Sequence, residues 1–329
     1  MKYLHGSSNQ DTNEIEKAIT DISTKLAAST SEKHTSEEEE ASLWKRLGKL
    51  LLDAGEYAEA SRIFRKGAER CPTDESLQHH LKVYNAFHID NETCETTEDL
   101  PPLDVTNMSK DIFLTLDVPP EAIPEEVIQI AKRKSEHVDV QELSKLLHAS
   151  KEPILSKVAC KYIINAAEKA TAIKGWTKDR HLQAPTCDIP AFDLENEVVH
   201  WLKDAMRNCL FPLLAKAFPK AMNIDHEKLR IQDMFVVRYD ADNENRRQGF
   251  KYLKPHEDES IISLTIALND MTDYDGGGLF IASTGDLLNG DAGTVLGFAG
   301  KIVHGGYPVE RGTRWILMKT HRAKRVGMF

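Results

Sequence analysis

Apolar positions along this chain recur at two different periods, and the change from one to the other divides it. Up to about residue 218 they fall three and four residues apart, the spacing of a helix with one buried face. Trp44, Leu47, Leu51, Ala60 and Phe64 follow that spacing. So do Ile154, Val158, Tyr162, Ile163, Ala166 and Ala167 within 153–170, and Val198, Trp201, Leu202, Ala205, Leu210 and Leu213 within 193–218. Further on the runs shorten. Ile261 to Leu268 is apolar and β-branched and is bounded by Asn269-Asp270, which predicts a buried strand. Gly293 to Gly300 reads as a strand and turn delivering Lys301 to His304, and Arg311 to Met318 reads as a last strand with Arg314, Ile316 and Met318 on one face. The pattern predicts an α+β chain, helical first and sheet-rich later.

Between the periodic segments the composition shifts. Residues 1–40 are polar and end in Ser36-Glu-Glu-Glu-Glu40, which predicts a mobile segment, with Ile15, Ile19, Ile22 and Leu26 forming one amphipathic turn set. Residues 88–110 carry acidic side chains and Pro101-Pro102 and read as a linker. Residues 111–150 read as a helical connector broken by Pro119-Pro120 and Pro124, with Lys132-Arg-Lys134 as a solvated face. Residues 151–329 form the second large unit. At 329 residues with 41% apolar content, two units are expected.

The net charge of −10 belongs to the front half: residues 1–149 hold 17 Lys+Arg against 29 Asp+Glu, and residues 150–329 hold 25 against 23. That balance argues against non-specific nucleic-acid binding. Cys71, Cys94, Cys160, Cys187 and Cys209 are scattered and odd in number, as expected of reduced thiols in a cytoplasmic or nuclear protein. The first ten residues lack the apolar core of a signal peptide, and no apolar run is long enough for a membrane span.

Candidate chemistry concentrates in Lys254-Pro-His-Glu-Asp258, followed by His304 and Arg314. On a strand, His256 and Asp258 share a face. Two imidazoles and one carboxylate on a triangular face suit a non-haem Fe(II) centre with open positions. Alone, a His-x-Asp pair is more often mutually hydrogen-bonded or solvated. Arg314 on an apolar row is costly unless it meets an anion, and its planar fork suits a carboxylate.

Two resemblances follow. Trp44, Leu47, Gly48, Leu51, Gly55, Tyr57, Ala60, Phe64, Gly67 and Pro72 fall at the offsets of a tetratricopeptide repeat, and a helix over 74–87 extends the unit to 41–87. One repeat cannot bury its face alone, so it must pack on residues 1–40, on the second unit or on a partner.

The region 150–329 resembles the 2-oxoglutarate- and Fe(II)-dependent dioxygenases of the prolyl/lysyl hydroxylase type, most of all the catalytic domain of procollagen lysyl hydroxylases. The resemblance rests on Ala184-Pro-Thr-Cys-Asp-Ile-Pro190, Phe235-Val-Val-Arg-Tyr239, Lys254-Pro-His-Glu-Asp258, Ile266-Ala-Leu-Asn269, Gly276-Gly-Gly278, His304-Gly-Gly-Tyr-Pro-Val309 and Gly312-Thr-Arg314. It implies a double-stranded β-helix (jelly-roll) braced by helices, with His256, Asp258 and His304 on iron and Arg314 on the distal carboxylate of 2-oxoglutarate. Tyr239 would add a hydroxyl. Where lysyl hydroxylases place an Asn on the following strand, this chain has Thr265. The implied cofactors are Fe(II), 2-oxoglutarate, O2 and ascorbate as reductant. The implied reaction is hydroxylation of a Lys or Pro side chain in a protein or peptide, with release of succinate and CO2. The long segment 240–254 sets Arg246, Arg247 and Lys251 beside the site as candidate substrate contacts. A nucleic-acid or small-molecule oxygenase, or a non-catalytic repeat scaffold with a degenerate barrel, are the alternatives.

Overall fold

A computed structural model describes residues 17–27, 36–54, 56–88, 98–103, 111–132, 138–177, 185–241 and 251–322. The chain divides into two compact units, the first reaching Asn91 and the second running from Glu92 to Arg322.

The first unit is helical: α1 (17–27), α2 (Glu37–Ala54), α3 (Tyr57–Arg70) and α4 (Glu75–Phe87). Ser36 opens α2 with a capping box, its hydroxyl accepting from Glu39 N at 3.2 Å while the Glu39 carboxylate accepts from Ser36 N at 3.3 Å. The four glutamates of the first turn face the positive end of the helix dipole. Asp74 caps α4 through Leu77 N at 2.8 Å. Small residues set the helix spacing, since a Cβ on Gly48 would lie 2.4 Å from the Phe64 ring. Glu40 is buried and accepts from Trp44 Nε1 at 3.2 Å and from Arg70 Nε at 2.8 Å.

Within 1–40 the amphipathic turn set is present as a helix, and the mobile expectation is corrected at 36–40, which open α2. Residues 17–27 are helical, and Ile22 and Leu26 are buried in one cluster with Trp44, Leu47, Phe64 and Leu77. The physical reason is the apolar face that a single hairpin leaves open, which α1 and α4 cover from within the chain. Ile15 and Gly55 lie outside the described residues.

In the second unit, β1 (Phe113–Asp117) is followed by α5 (Glu125–Lys132), α6 (Val140–Leu143), β2 (Lys145–Ser150), α7 (Lys157–Lys174) and β3 (Asp188–Pro190). Then come α8 (Asn196–Ala205), a π-helical turn (Met206–Leu210), α9 (Phe211–Ala217), β4 (Arg230–Asp240), β5 (Leu253–His256) and β6 (Ile262–Ala267). The chain closes with β7 (Tyr274–Gly276), β8 (Leu279–Ile281), β9 (Leu287–Leu288), β10 (Val295–Ala299), β11 (His304–Gly306) and β12 (Val309–Arg322).

Every named pairing is antiparallel. The larger sheet has the order β1-β2-β10-β6-β12-β4-β3 with β7 on β12, and the smaller has the order β5-β11-β8-β9. Phe235, Val237, Tyr239, Ile316 and Met318 of the larger sheet share one buried cluster with Leu253 of the smaller. This is the double-stranded, jelly-roll arrangement.

Three expectations for this unit are corrected. Among the described residues of 111–150, only α5 and α6 are α-helical: β1 and β2 flank these helices and extend the larger sheet, with Leu296 of β10 opposite Ala149. Leu143, Leu146 and Leu147 have helical spacing, yet β10 needs a neighbour and the ladder overrides local preference. Within the expected linker, Leu100 is buried, and Pro101 O accepts from Trp201 Nε1 at 2.7 Å, so residues 98–103 are a strap on α8. The long helix over 193–218 is interrupted, because Pro212 has no N–H to donate and its ring displaces the preceding turn into a π-helical one.

The helix expected over 153–170 runs from Lys157, capped by Ser156, and buries Ala159, Cys160, Ile163, Ala166 and Ala167, leaving Val158 exposed.

Candidate metal centre

Strand pairing brings the first two candidate ligands together. β5 and β11 lie side by side with His256 directly opposite His304, and the imidazole centroids are 4.5 Å apart. A Cβ on Gly305 would lie 2.7 Å from Leu253 O, so only glycine lets β11 approach the irregular β5 this closely. Asp258 is not on the strand, as the two-residue period assumed. β5 ends at His256, and Asp258 sits in the following turn, placed by its N–H donating to Gly300 O at 2.8 Å. Ser263, at the start of β6, donates its hydroxyl to Asp258 Oδ2, and Ser260 Oγ meets Ser263 Oγ at 2.7 Å.

The remaining atoms converge. One ligand atom from each of His256, Asp258 and His304 lies within 4.8 Å of the others. Asp258 Oδ1 is 3.4 Å from His256 Nε2, and Oδ2 is 3.8 Å from His304 Nε2. His256 Nδ1 is 2.9 Å from Lys254 O and His304 Nδ1 is 2.8 Å from Ile302 O. A carbonyl only accepts, so each Nδ1 carries the proton and each Nε2 keeps a lone pair for a cation.

Burial works against a charge on His256, but the Asp258 carboxylate outweighs it and holds the pKa above its ordinary value. For His304 burial prevails and the pKa falls. Burial would push Asp258 up, yet the His256 contact, the charge of His304 and the Ser263 hydroxyl bring it below the usual carboxylate range. The donor set is one anion and two neutral nitrogens on one side of a pocket, which fits a divalent metal of the Fe(II) kind.

A cavity adjoins these ligands. It is lined by Tyr239, Thr265, His304, Arg314, Ile316 and Met318 together with Leu253, Leu279 and three glycines. Among the described residues, few buried polar side-chain atoms lack a partner, and three of them border this cavity: Thr265 Oγ1, His304 Nε2 and Arg314 Nε. Buried polar groups are ordinarily paired, so the Thr265 hydroxyl and the Arg314 Nε–H mark a polar, anionic occupant, while the His304 Nε2 lone pair is left for a cation. Arg314 is 4% exposed, with its guanidinium carbon 5.8 Å from the Tyr239 ring. Burial pushes the Tyr239 phenol up to about 12 against the lowering effect of Arg314, which keeps it a hydrogen-bond donor. Gly277 takes φ +66°, and a Cβ there would lie 2.8 Å from Arg314 Cδ.

Residues 41–82 match the family model described as tetratricopeptide repeat. Half of the chain is 29% identical over 175 residues to the multifunctional procollagen lysine hydroxylase and glycosyltransferase LH3 of Rattus norvegicus. It is 30% identical over 173 residues to procollagen-lysine,2-oxoglutarate 5-dioxygenase 1 of the same organism. The chain thus matches a tetratricopeptide repeat near its front and, over half of its length, is similar to procollagen lysine hydroxylases. It spans 22% of the length of each of these relatives. Among solved structures it is similar to the viral collagen prolyl hydroxylase of Paramecium Bursaria Chlorella virus-1 in its 2OG complex. That likeness is 19% identical, covers 54% of this chain and 96% of the other, and has a TM-score of 0.38. For a prolyl-4-hydroxylase of Pseudomonas putida the corresponding values are 14%, 60%, 98% and 0.39.

Of the candidate residues, His256, Asp258, His304, Arg314, Tyr239 and Thr265 lie at one place. Lys251 is exposed, and its carbonyl accepts from Val309 N at 2.9 Å. Arg246 and Arg247 lie outside the described residues. Sequence reasoning missed Ser260 and Ser263. Their signal was present as two hydroxyls two and five residues beyond Asp258, where the chain enters the β-branched run that starts at Ile261.

Proposed function

We propose that this protein is a 2-oxoglutarate- and Fe(II)-dependent hydroxylase acting on a Lys or Pro side chain of a protein or peptide. The observation that carries the reading is the cavity in which Arg314 Nε, the Thr265 hydroxyl and His304 Nε2 all lack a hydrogen-bond partner beside a three-ligand cluster. His256 Nε2, one Asp258 oxygen and His304 Nε2 hold the metal from one side. Arg314 would receive the distal carboxylate of 2-oxoglutarate, with the Tyr239 and Thr265 hydroxyls of the same cavity as further donors. Ile316 and Met318, both buried, give the cavity an apolar wall. With Fe(II), 2-oxoglutarate and O2 bound, the site supplies oxidative decarboxylation to succinate and CO2 coupled to hydroxylation of a C–H bond. Ascorbate serves as reductant for the iron.

A peptide substrate and a protein partner for the repeat unit accord with the lysyl hydroxylase relatives and the repeat match. No helix among the described residues is long and apolar enough to cross a membrane, and none of the four described cysteines is in a disulfide. A reducing compartment, cytoplasmic or nuclear, suits buried thiols.

The test is succinate release with Fe(II) and ascorbate, without and then with a peptide pool, for wild type, His304→Ala and Arg314→Ala. Turnover lost in His304→Ala and recovered in Arg314→Ala only at high 2-oxoglutarate is the expected result. Failure of the wild-type chain to bind Fe(II) and 2-oxoglutarate under argon would sink it, and stimulation by small molecules but by no peptide would move the substrate to the other class.

A further inference from the structure

β12 changes partners on one side just where it presents Arg314. On its other side β4 accompanies it without a break, with Thr313 opposite Asp240, Arg314 opposite Tyr239 and Trp315 opposite Arg238. On the changing side, β7 pairs with β12 as far as Gly312, whereas β6 takes over at Ile316. In an antiparallel ladder successive residues turn their N–H and C=O groups to alternate neighbours. Thr313 and Trp315 therefore turn theirs into the gap between β7 and β6.

The side chain of Asn269 fills that gap. Its Oδ1 accepts from Trp315 N at 2.8 Å, its Nδ2 donates to Thr313 O at 2.9 Å, and the preceding Leu268 N donates to Trp315 O at 2.9 Å. One amide thus satisfies the peptide groups on both sides of Arg314. Only an amide offers a donor and an acceptor side by side. An aspartate would set a second acceptor against the Thr313 carbonyl, and an alanine would leave both groups unpaired in a partly buried position.

We propose that Asn269 is a positioning residue for the co-substrate: by clamping the backbone at 313–315 it holds the Arg314 guanidinium against the cavity. The inference rests on the reading of Arg314 as the carboxylate anchor. Gly277 beneath the Arg314 stem and the Tyr239 ring beside its guanidinium restrain the side chain, and Asn269 restrains the backbone from which it projects.

The experiment is calorimetric titration of 2-oxoglutarate, under argon, into the Mn(II)-loaded full chain. Wild type, Asn269→Ala, Asn269→Asp, Arg314→Ala and the double variant Asn269→Ala/Arg314→Ala are compared. Asn269→Ala is expected to raise the Kd for 2-oxoglutarate by about ten-fold, with Asn269→Asp moving it in the same direction and Mn(II) affinity unchanged. In the Arg314→Ala background, Asn269→Ala is expected to add nothing, because it acts through the residue already removed. A merely structural tie would weaken binding by the same factor in both backgrounds and would overturn the proposal, as would wild-type affinity in Asn269→Ala. Should Asn269→Ala not fold, the nearly isosteric Asn269→Asp, alone and combined with Arg314→Ala, decides on the same criteria. Loss of binding in wild type itself would remove the Arg314 reading and this inference with it.

Discussion

At the scale of single residues, the centre depends on side chains that hold other side chains. Asp258 has two oxygens, and Ser263 occupies one of them. Ser263→Ala is therefore expected to weaken metal binding by about ten-fold, the usual size of such an outer contact, as read by Co(II) or Mn(II) titration of the apo chain. Unchanged affinity would mean that the turn at 258–263 alone orients the carboxylate. Thr265 stands where the resembled enzymes carry an Asn, and its Oγ1 is buried, unpaired and beside Arg314. Thr265→Val should raise KM for 2-oxoglutarate, while Thr265→Asn should keep it near wild type. A valine variant with unaltered KM would show that the hydroxyl does not face the ligand. Asp258 was legible as a candidate from its spacing to His256, and Thr265 from the resemblance, whereas Ser263 was not. That Asp258 lies beyond the strand was not, because its position is set by a bond to Gly300, 42 residues away in sequence.

At the scale of elements, the two units use close packing differently. Gly48 meets the Phe64 ring across the α2/α3 interface. Gly48→Val is expected to destabilise the helical unit by about 2 kcal/mol through overpacking, visible as an earlier urea transition of helical circular dichroism.

In the second unit, β2 carries His148, which is 1% exposed, lies 3.1 Å from Thr115 Oγ1 through Nδ1, and packs edge-on against Phe218. Burial pulls its pKa from 6.5 to about 4. The unfolded chain takes up this proton at higher pH than the folded one, so the contribution is complete above about pH 6.5 and is lost as pH falls towards 4. His148→Phe should flatten that acid limb, measured as the difference in unfolding midpoint between about pH 7.5 and about pH 5. An equally steep limb would assign the acid sensitivity to other groups. That β2 is a strand at all was hidden in the sequence, since Leu146 and Leu147 continue the helical spacing begun by Leu143 in α6.

At the scale of the whole molecule, the chain is two compact units, and each carries its own core. A chain shortened to residues 92–329 is expected to keep metal and 2-oxoglutarate binding and uncoupled succinate release, and to lose stimulation by a protein substrate recruited through the repeat. Loss of uncoupled turnover on truncation would show that the barrel needs the helical unit to fold.

Periodicity, small residues at fixed offsets and the His256-x-Asp258, His304 and Arg314 pattern already determined, from sequence alone, the order of the units, the strand carrying Arg314 and the set of candidate ligands. These are properties of neighbours within a few residues, which a linear pattern records. What covers the repeat's open face, which strands complete the larger sheet, and which serine and asparagine brace the site were decided only by tertiary structure. Each depends on a hydrogen bond or apolar contact between distant segments, and such contacts exist only once the backbone groups on both sides have been brought to the same place.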